Sequence, residues 1–357
     1  MKFLYIIPDG RAERLQLGDG QFPDEFFYGY CQLARREGWQ AELMTRSFPS
    51  YIGFGFQKLL HWLTHLSPDF SNAAALSAAL LRRFDAIVSM SEPVLLMLAL
   101  RKQHRRDGAR LVLIQMGSDK RIERSRFPAA TRYMLTWLYG KLDAVIVLGE
   151  GERDYLLSQQ VDSALVHLVQ FGVDAKFWTL GQDGGEQEYL LAVGNDDGRD
   201  YDTLLQAVGS HKLRLHTMRP VDANRIPANV TLTRGDWAGR ALSDEQLRDL
   251  YRGSRFVVTP LYDSAQPQGQ SVTLQAMACG KAVILSRTRG LWSRELMRHL
   301  HNCYLVPPRD IAALRAAIDR LDQDEELRVR LGLAARRSVE QHFSSDLMAK
   351  RIGEVIF

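Results

Sequence analysis

Residues 264–286 read S-A-Q-P-Q-G-Q-S-V-T-L-Q-A-M-A-C-G-K-A-V-I-L-S, and the two ends of this stretch call for different surroundings. The carboxyl end, 276–286, is an apolar helix tail, a glycine stop and a β-branched strand, the ordinary grammar of an α/β protein. The amino end is a polar loop with Gly269 just ahead of a helix predicted to begin at Ser271 and to stop at Gly280. The amides of Gln270, Ser271, Val272 and Thr273 then precede any helical acceptor. They offer N–H groups and partial positive charge to a phosphate without a cationic side chain. Gly269 has no Cβ to obstruct a diphosphate, although the same glycine serves equally as a plain turn before a packed helix.

Outward from this stretch, apolar runs of strand length alternate with segments of helical spacing, the pattern of parallel sheets with crossover helices. The first half offers strands at 2–7, 40–45, 84–90, 110–115, 143–148 and 164–169, with helical patterns at 24–36 and 93–105. After Gly172 a glycine-rich polar tract, T-L-G-Q-D-G-G-E-Q, reads as a linker. A second set of strands follows at 188–193, 212–218, 230–233, 255–259, 282–286 and 303–306. Within it, Ser243 and Gln246 form a capping box that opens a helix running to Arg252. The chain ends in helical composition without a further strand. The expected fold class is α/β, with two Rossmann-like doubly wound domains facing a cleft, since open parallel sheets bind ligands beyond their strand carboxyl ends.

The 357 residues suffice for two cores. Net charge is +4, divided as +3 over residues 1–170 and +1 over 171–357, a balance that speaks against a nucleic-acid binder. Cys31, Cys279 and Cys303 are odd in number and lack metal-ligand spacing, which favours a reducing, cytoplasmic setting. The apolar run at the amino terminus is too short for a signal peptide, and no uncharged stretch reaches bilayer-spanning length. No Asp-x-Asp or histidine cluster invites a metal, so neither a metal nor a cofactor is expected.

A second glycine-bracketed loop, V-G-N-D-D-G-R-D-Y at 193–201, follows the strand 188–193. It brings Gly194, Asn195 and Arg199 to a strand exit, where Arg199 is placed to grip a phosphate in bidentate fashion. Pairing of Arg199 with Asp196 or Asp200 is the competing reading.

Taken in order, these segments resemble the retaining glycosyltransferases of the GT-B fold, family 4 type. The resemblance runs through F-G-V-D at 171–174, G-N-D-D-G-R-D-Y at 194–201 and L-S-D-E-Q-L-R-D-L-Y at 242–251. It continues through F-V-V-T-P at 256–260, G-Q-S-V-T-L-Q-A-M-A-C-G-K-A-V-I at 269–284, V-P-P-R-D at 306–310 and L-R-V-R-L-G at 327–332. In the first half it rests on L-G-D-G-Q-F-P-D-E-F-F-Y-G at 17–29, which carries Gly18 and Gly20, and on L-D-A-V-I-V-L-G-E-G-E-R-D-Y-L at 142–156.

The resemblance implies an acceptor domain over 1–172, a donor domain over 173–335 and terminal helices over 336–357 returning to the first. It implies transfer of a hexose from a nucleoside-diphosphate sugar to an acceptor hydroxyl, with retention and without metal. Gly18, Gly20, Gly194, Asn195, Arg199, the 269–273 turn, Gln275 and Trp237 would bind the donor. Arg199, Asp119 and Glu295 would serve at the reacting centre, although Trp237 reads equally as a core residue and Glu295 as a helix cap.

Three departures stand out. Pro267 and Gln275 replace the family's glutamate pair, and Gln275 would bond the ribose as a neutral amide. Asn195 replaces a frequent arginine. The segment I-Q-M-G-S-D-K at 114–120 lacks the usual histidine and offers Asp119 instead. These departures keep a catalytically inactive nucleotide-sugar binder open; a nucleotide-sugar epimerase on the same fold is the other alternative, but it calls for titratable groups lining the cleft that the second half does not offer.

The resemblance leaves the hydroxyl acceptor open: a glycan, a lipid-linked glycan or a small molecule. Weak peripheral membrane contact is kept as an option through the basic run 101–126 and the apolar stripe of Phe56, Leu59, Leu60, Leu63 and Leu66, although the run reads more commonly as a solvated helix face and the stripe as one packed on a core.

Overall fold

A computed structural model describes residues 1–7, 11–18, 20–45, 78–90, 95, 98–99, 108–115, 122, 125–181, 188–235 and 242–357. The chain forms two compact units. The first comprises Met1–Gln21, Phe26–Gln170 and Met348–Phe357, and the second Phe22–Glu25 and Phe171–Leu347.

The first unit is built on β1 (Lys2–Ile7), β2 (Gln40–Thr45), β3 (Ala86–Ser89), β4 (Arg110–Gln115), β5 (Ala144–Val147) and β6 (Val166–Leu168). All pairings are parallel, in the order β2-β1-β3-β4-β5-β6. Strands such as β5, A-V-I-V, are buried at every residue because helices cover both faces, so they read as unbroken apolar runs. The described helices of this unit are α1 (Tyr30–Leu33), α2 (Ala78–Arg83), α3 (Pro128–Tyr139) and α4 (Glu150–Ser158). Ile87, Leu111, Leu113, Leu135, Leu142 and Val145 lie in its main core.

The single helix expected over 24–36 does not form. A 3-10 turn at Glu25–Phe27 and the short α1 take its place. Tyr28 at φ 48° and Gly29 at φ 82° break the helical path between them.

The second unit repeats the plan with β7 (Leu190–Val193), β8 (Leu213–Thr217), β9 (Val230–Arg234), β10 (Val257–Thr259), β11 (Val283–Ser286) and β12 (Tyr304–Val306). Its helices are α5 (Tyr201–Ala207), α6 (Asp244–Gly253), α7 (Gln270–Ala278), α8 (Ile311–Gln323) and α9 (Glu325–His342). Strand order is β12-β11-β10-β7-β8-β9, again all parallel. The chain thus builds outward from β7 to β9, then returns to the other side of β7 with β10. Both arms of the expected capping box are present at α6: Gln246 N–H donates to Ser243 Oγ at 3.1 Å, and Ser243 N–H to Gln246 Oε1 at 2.8 Å.

The last helix, α10 (Ser345–Ile356), leaves the second unit, and from Met348 onward the chain counts with the first. Its ring partners lie at the start of the sequence. Phe357 stacks edge-on against Trp39 at 4.6 Å and Phe3 at 6.5 Å between ring centres. A Cβ on Gly29 would lie 2.8 Å from Ala349 Cα, so the helix settles there only on a bare backbone. Among the described residues no helix is long and apolar enough to cross a membrane.

Candidate active site

In the second sheet, the point where strand order reverses lies between β7 and β10. Open parallel sheets bind ligands just beyond the carboxyl ends of such a strand pair. The two loops leaving those ends are the glycine-bracketed segments singled out in the sequence, and backbone bonds join them. Asp200 N–H donates to Pro260 C=O at 3.1 Å, Tyr262 N–H donates to Gly198 C=O at 2.8 Å, and Arg199 bridges Leu261. Leu261 N–H also donates to Ser286 Oγ at 3.0 Å, which ties the exit of β11 to the same frame.

Arg199 lies at the centre of this frame. Its side chain is only 2% exposed, and its Nε–H donates to Asp196 Oδ2 at 2.9 Å. Asp196 is held in place because its other oxygen accepts from Gly198 N–H at 3.1 Å. Asp200 does not compete for the arginine, since it caps α5 by accepting from Thr203 N–H and Thr203 Oγ1 at 3.1 and 2.7 Å. The competing ion pair with Asp196 therefore exists, but it engages one edge of the guanidinium. Nη1 is buried and without a hydrogen-bond partner among the described residues. Buried polar groups are nearly always satisfied, so an orphaned guanidinium nitrogen marks a place for an acceptor.

That nitrogen lies beside the start of α7. Gly269 caps the helix at φ 71°, and a Cβ there would lie 3.2 Å from Arg199 Nη1 and 2.8 Å from Thr259 Cγ2. The helix begins at Gln270, one residue before the position expected from the sequence. Its first intrahelical bond runs from Thr273 N–H to Gly269 C=O at 3.1 Å. The Thr273 amide is therefore used within the helix, a correction to the expected set of four donors. Thr273 is fully buried, and its Oγ1 meets Thr259 Oγ1 at 3.2 Å. Ser271 and Val272 precede that first bond and are half-buried. Gln268, just before the cap, contributes a second buried orphan, Oε1.

The remaining candidates divide. Gly194 ends β7, and its carbonyl accepts from Tyr201 Oη and Thr217 Oγ1 at 2.7 and 2.6 Å. Asn195 is exposed and accepts from Met218 N–H at 2.7 Å, bracing the neighbouring strand exit. Gly18 and Gly20 belong to the first unit, in the loop after β1. Glu295 is exposed on a turn rather than on a helix, and among the described residues no hydrogen bond or ion pair joins it to the Arg199 loops. Asp119 and Trp237 lie outside the described residues, as do the stripe at 56–66 and most of the basic run.

Gln275 departs most from its expected role. It is buried and engaged inward at both ends of its amide: Nε2 donates to Glu25 Oε1 at 2.9 Å and Oε1 accepts from Tyr251 Oη at 3.1 Å. Glu25, fully buried, is the residue that sequence reasoning missed. Its carboxylate also accepts from Trp178 Nε1 at 2.9 Å and Asp174 N–H at 3.2 Å. Burial pushes the carboxyl up to about 7 even though these donors pull it down. A carboxylate from position 25 thus stands behind the very residue that replaces a family glutamate. No local pattern announces this, because the partners are 149 to 250 positions away. Arg336 secures the same region by donating to the carbonyls of Trp178, Ala278 and Ala175 at 2.6, 2.6 and 3.1 Å. Among the described residues no group of His, Cys, Asp and Glu is gathered to hold a metal.

Two parallel six-stranded sheets, with the glycine-capped start of α7 beside Arg199 at the switch point of the second, define a protein of the GT-B architecture. Residues 27–177 match the model of Glycosyltransferase Family 4, and residues 187–324 match that of Glycosyl transferases group 1. The chain thus carries two glycosyltransferase domains, one of Family 4 and one of group 1.

Solved structures similar in fold include Alr3699/HepE from Anabaena in complex with UDP-glucose, at TM-score 0.69 and 14% identity over 99% of this chain and 98% of that one. Sucrose-phosphate synthase from Thermosynechococcus elongatus gives 0.70 and 18% over 99% and 98%. A glycosyltransferase from Rickettsia africae gives 0.62 and 13% over 99% and 97%. No curated protein matches the chain in sequence.

Proposed function

We propose that the protein transfers a hexose from a nucleoside-diphosphate sugar to an acceptor hydroxyl, with retention of anomeric configuration and without a metal. The observation that carries this reading is the buried Nη1 of Arg199, without a hydrogen-bond partner among the described residues, beside the amino end of α7. A guanidinium edge and helix amides at one switch point suit a diphosphate better than any single phosphate contact. HepE was crystallised with UDP-glucose, which makes UDP-glucose the first donor to test.

In this reading the bond from the anomeric carbon to the β-phosphate oxygen breaks, and negative charge grows on the leaving diphosphate. Arg199 and the α7 amides stabilise that charge in place, which is where most of the catalytic effect would arise. The departing phosphate oxygen takes the acceptor proton as the acceptor oxygen attacks from the same face. Asp119 and Glu295 are proposed near the sugar, and Trp237 against the base.

The experiment is a panel of nucleotide sugars in EDTA, reading binding by calorimetry and both transfer and slow hydrolysis by NMR, which also reports the product anomer. Binding with turnover to a retained product is expected. An inverted product or an EDTA-sensitive rate would overturn those parts of the reading, and an epimerised donor would replace it. Binding without turnover would favour an inactive donor-binding protein, which the inward engagement of Gln275 supports as the second reading.

A further inference from the structure

We infer that the outer face of α3 is a docking surface for an anionic membrane. The helix buries Thr131, Leu135, Leu138 and Tyr139, one stripe at helical spacing, against the first unit's core. On a helix covered in this way, the opposite face is normally polar. Here it presents Tyr133 at 76% and Trp137 at 49% exposure, one turn apart, with Phe127 at 52% at the amino end. Arg126 and Arg132 are exposed around these rings, and Lys141 Nζ lies 4.7 Å from the centre of the Trp137 ring. Residues 126–141 contain these three cations and no acid.

Amphipathic rings interleaved with cations suit the headgroup level of a bilayer. There the ring body meets the acyl boundary while the hydroxyl and indole N–H stay wet. The charge pattern selects anionic lipid over a neutral one. A second copy of the chain is a poorer occupant. The helix is about 18 Å long, and such a strip falls well short of the roughly 800 Å² per partner that a stable dimer buries. The inference stands independently of the proposed reaction, since α3 belongs to the first unit and the Arg199 loops to the second.

The test uses the whole protein with vesicles of phosphatidylcholine alone or mixed with phosphatidylglycerol, reading partition by co-sedimentation. The mixed vesicles are expected to bind the protein and to release it as salt rises. Partition should fall at least about tenfold in a Tyr133→Ser, Trp137→Ser double variant and about fivefold in Arg132→Gln. These side chains are exposed, so both variants should keep the wild-type melting temperature and affinity for UDP. The inference is overturned if the wild type ignores mixed vesicles, if it binds neutral ones equally, or if the variants partition as the wild type does. Concentration-dependent self-association abolished by the double variant would assign the face to a second copy instead, and also overturns it.

Discussion

Replacing Glu25 by glutamine should change how stability depends on pH. The Glu25 carboxyl titrates at about 7 in the folded chain, against 4.5 for an unperturbed glutamate. Between those values the folded state holds a proton that the unfolded state has released. The group's contribution is therefore complete below pH 4.5 and is lost as pH rises through 7. At about 1.36 kcal/mol per pH unit, the second unit should lose about 3 kcal/mol from this group between pH 4 and pH 8.

Glutamine keeps the shape and removes the titration. Its oxygen can accept from Gln275 and Trp178, but its amide would face the Asp174 N–H, a donor against a donor, costing about 1–2 kcal/mol at every pH. Glu25→Gln should thus be less stable than wild type at pH 4 and more stable at pH 8, with the difference moving by about 3 kcal/mol across the range. Urea titrations read by pulsed hydrogen exchange on peptides from β7 to β12 isolate the second unit. A difference between the two proteins that stays constant with pH would refute the reasoning.

Arg199→Ala should weaken UDP binding by about 1–3 kcal/mol, the worth of a charged hydrogen bond; unchanged affinity in calorimetry would remove Arg199 from the site. Gly269→Ala introduces a Cβ at φ 71° and 2.8 Å from Thr259 Cγ2. It should lower stability by about 1–3 kcal/mol and weaken UDP binding as well, checked by denaturant titration with and without nucleotide. Arg336→Met leaves the carbonyls of Trp178, Ala278 and Ala175 without their donor. It should cost about 2–4 kcal/mol in the same titration.

Each of the twelve described strands lies within the segment where the sequence placed it, give or take one residue at β9; for strands such as β5 and β7 the reason is that burial on both faces demands a continuously apolar run. Gly269 and the capping box of α6 were legible for a related reason: a left-handed cap and a reciprocal side-chain bond each demand particular residues at fixed offsets. What escaped was long-range. Nothing in F-P-D-E at 22–25 reveals that Glu25 will accept from Gln275 and Trp178, and the helical spacing around it suggested an ordinary helix. Gln275 was misread for the same cause. An amide can bond a ribose or a buried carboxylate equally well, and only the tertiary packing decides which. Arg199 is ambiguous in the sequence between ion pair and ligand; the structure shows the ion pair with Asp196 on one edge and leaves Nη1 without a partner among the described residues.

The return of residues 348–357 to the first unit has a consequence for synthesis. Phe3 and Trp39 meet Phe357 only after residues 348–357 have been made, so the first unit, begun first, cannot complete its own interior until the second unit has been synthesised. A fragment ending near Gln170 should accordingly expose Phe3 and Trp39 to solvent and aggregate where the whole chain does not.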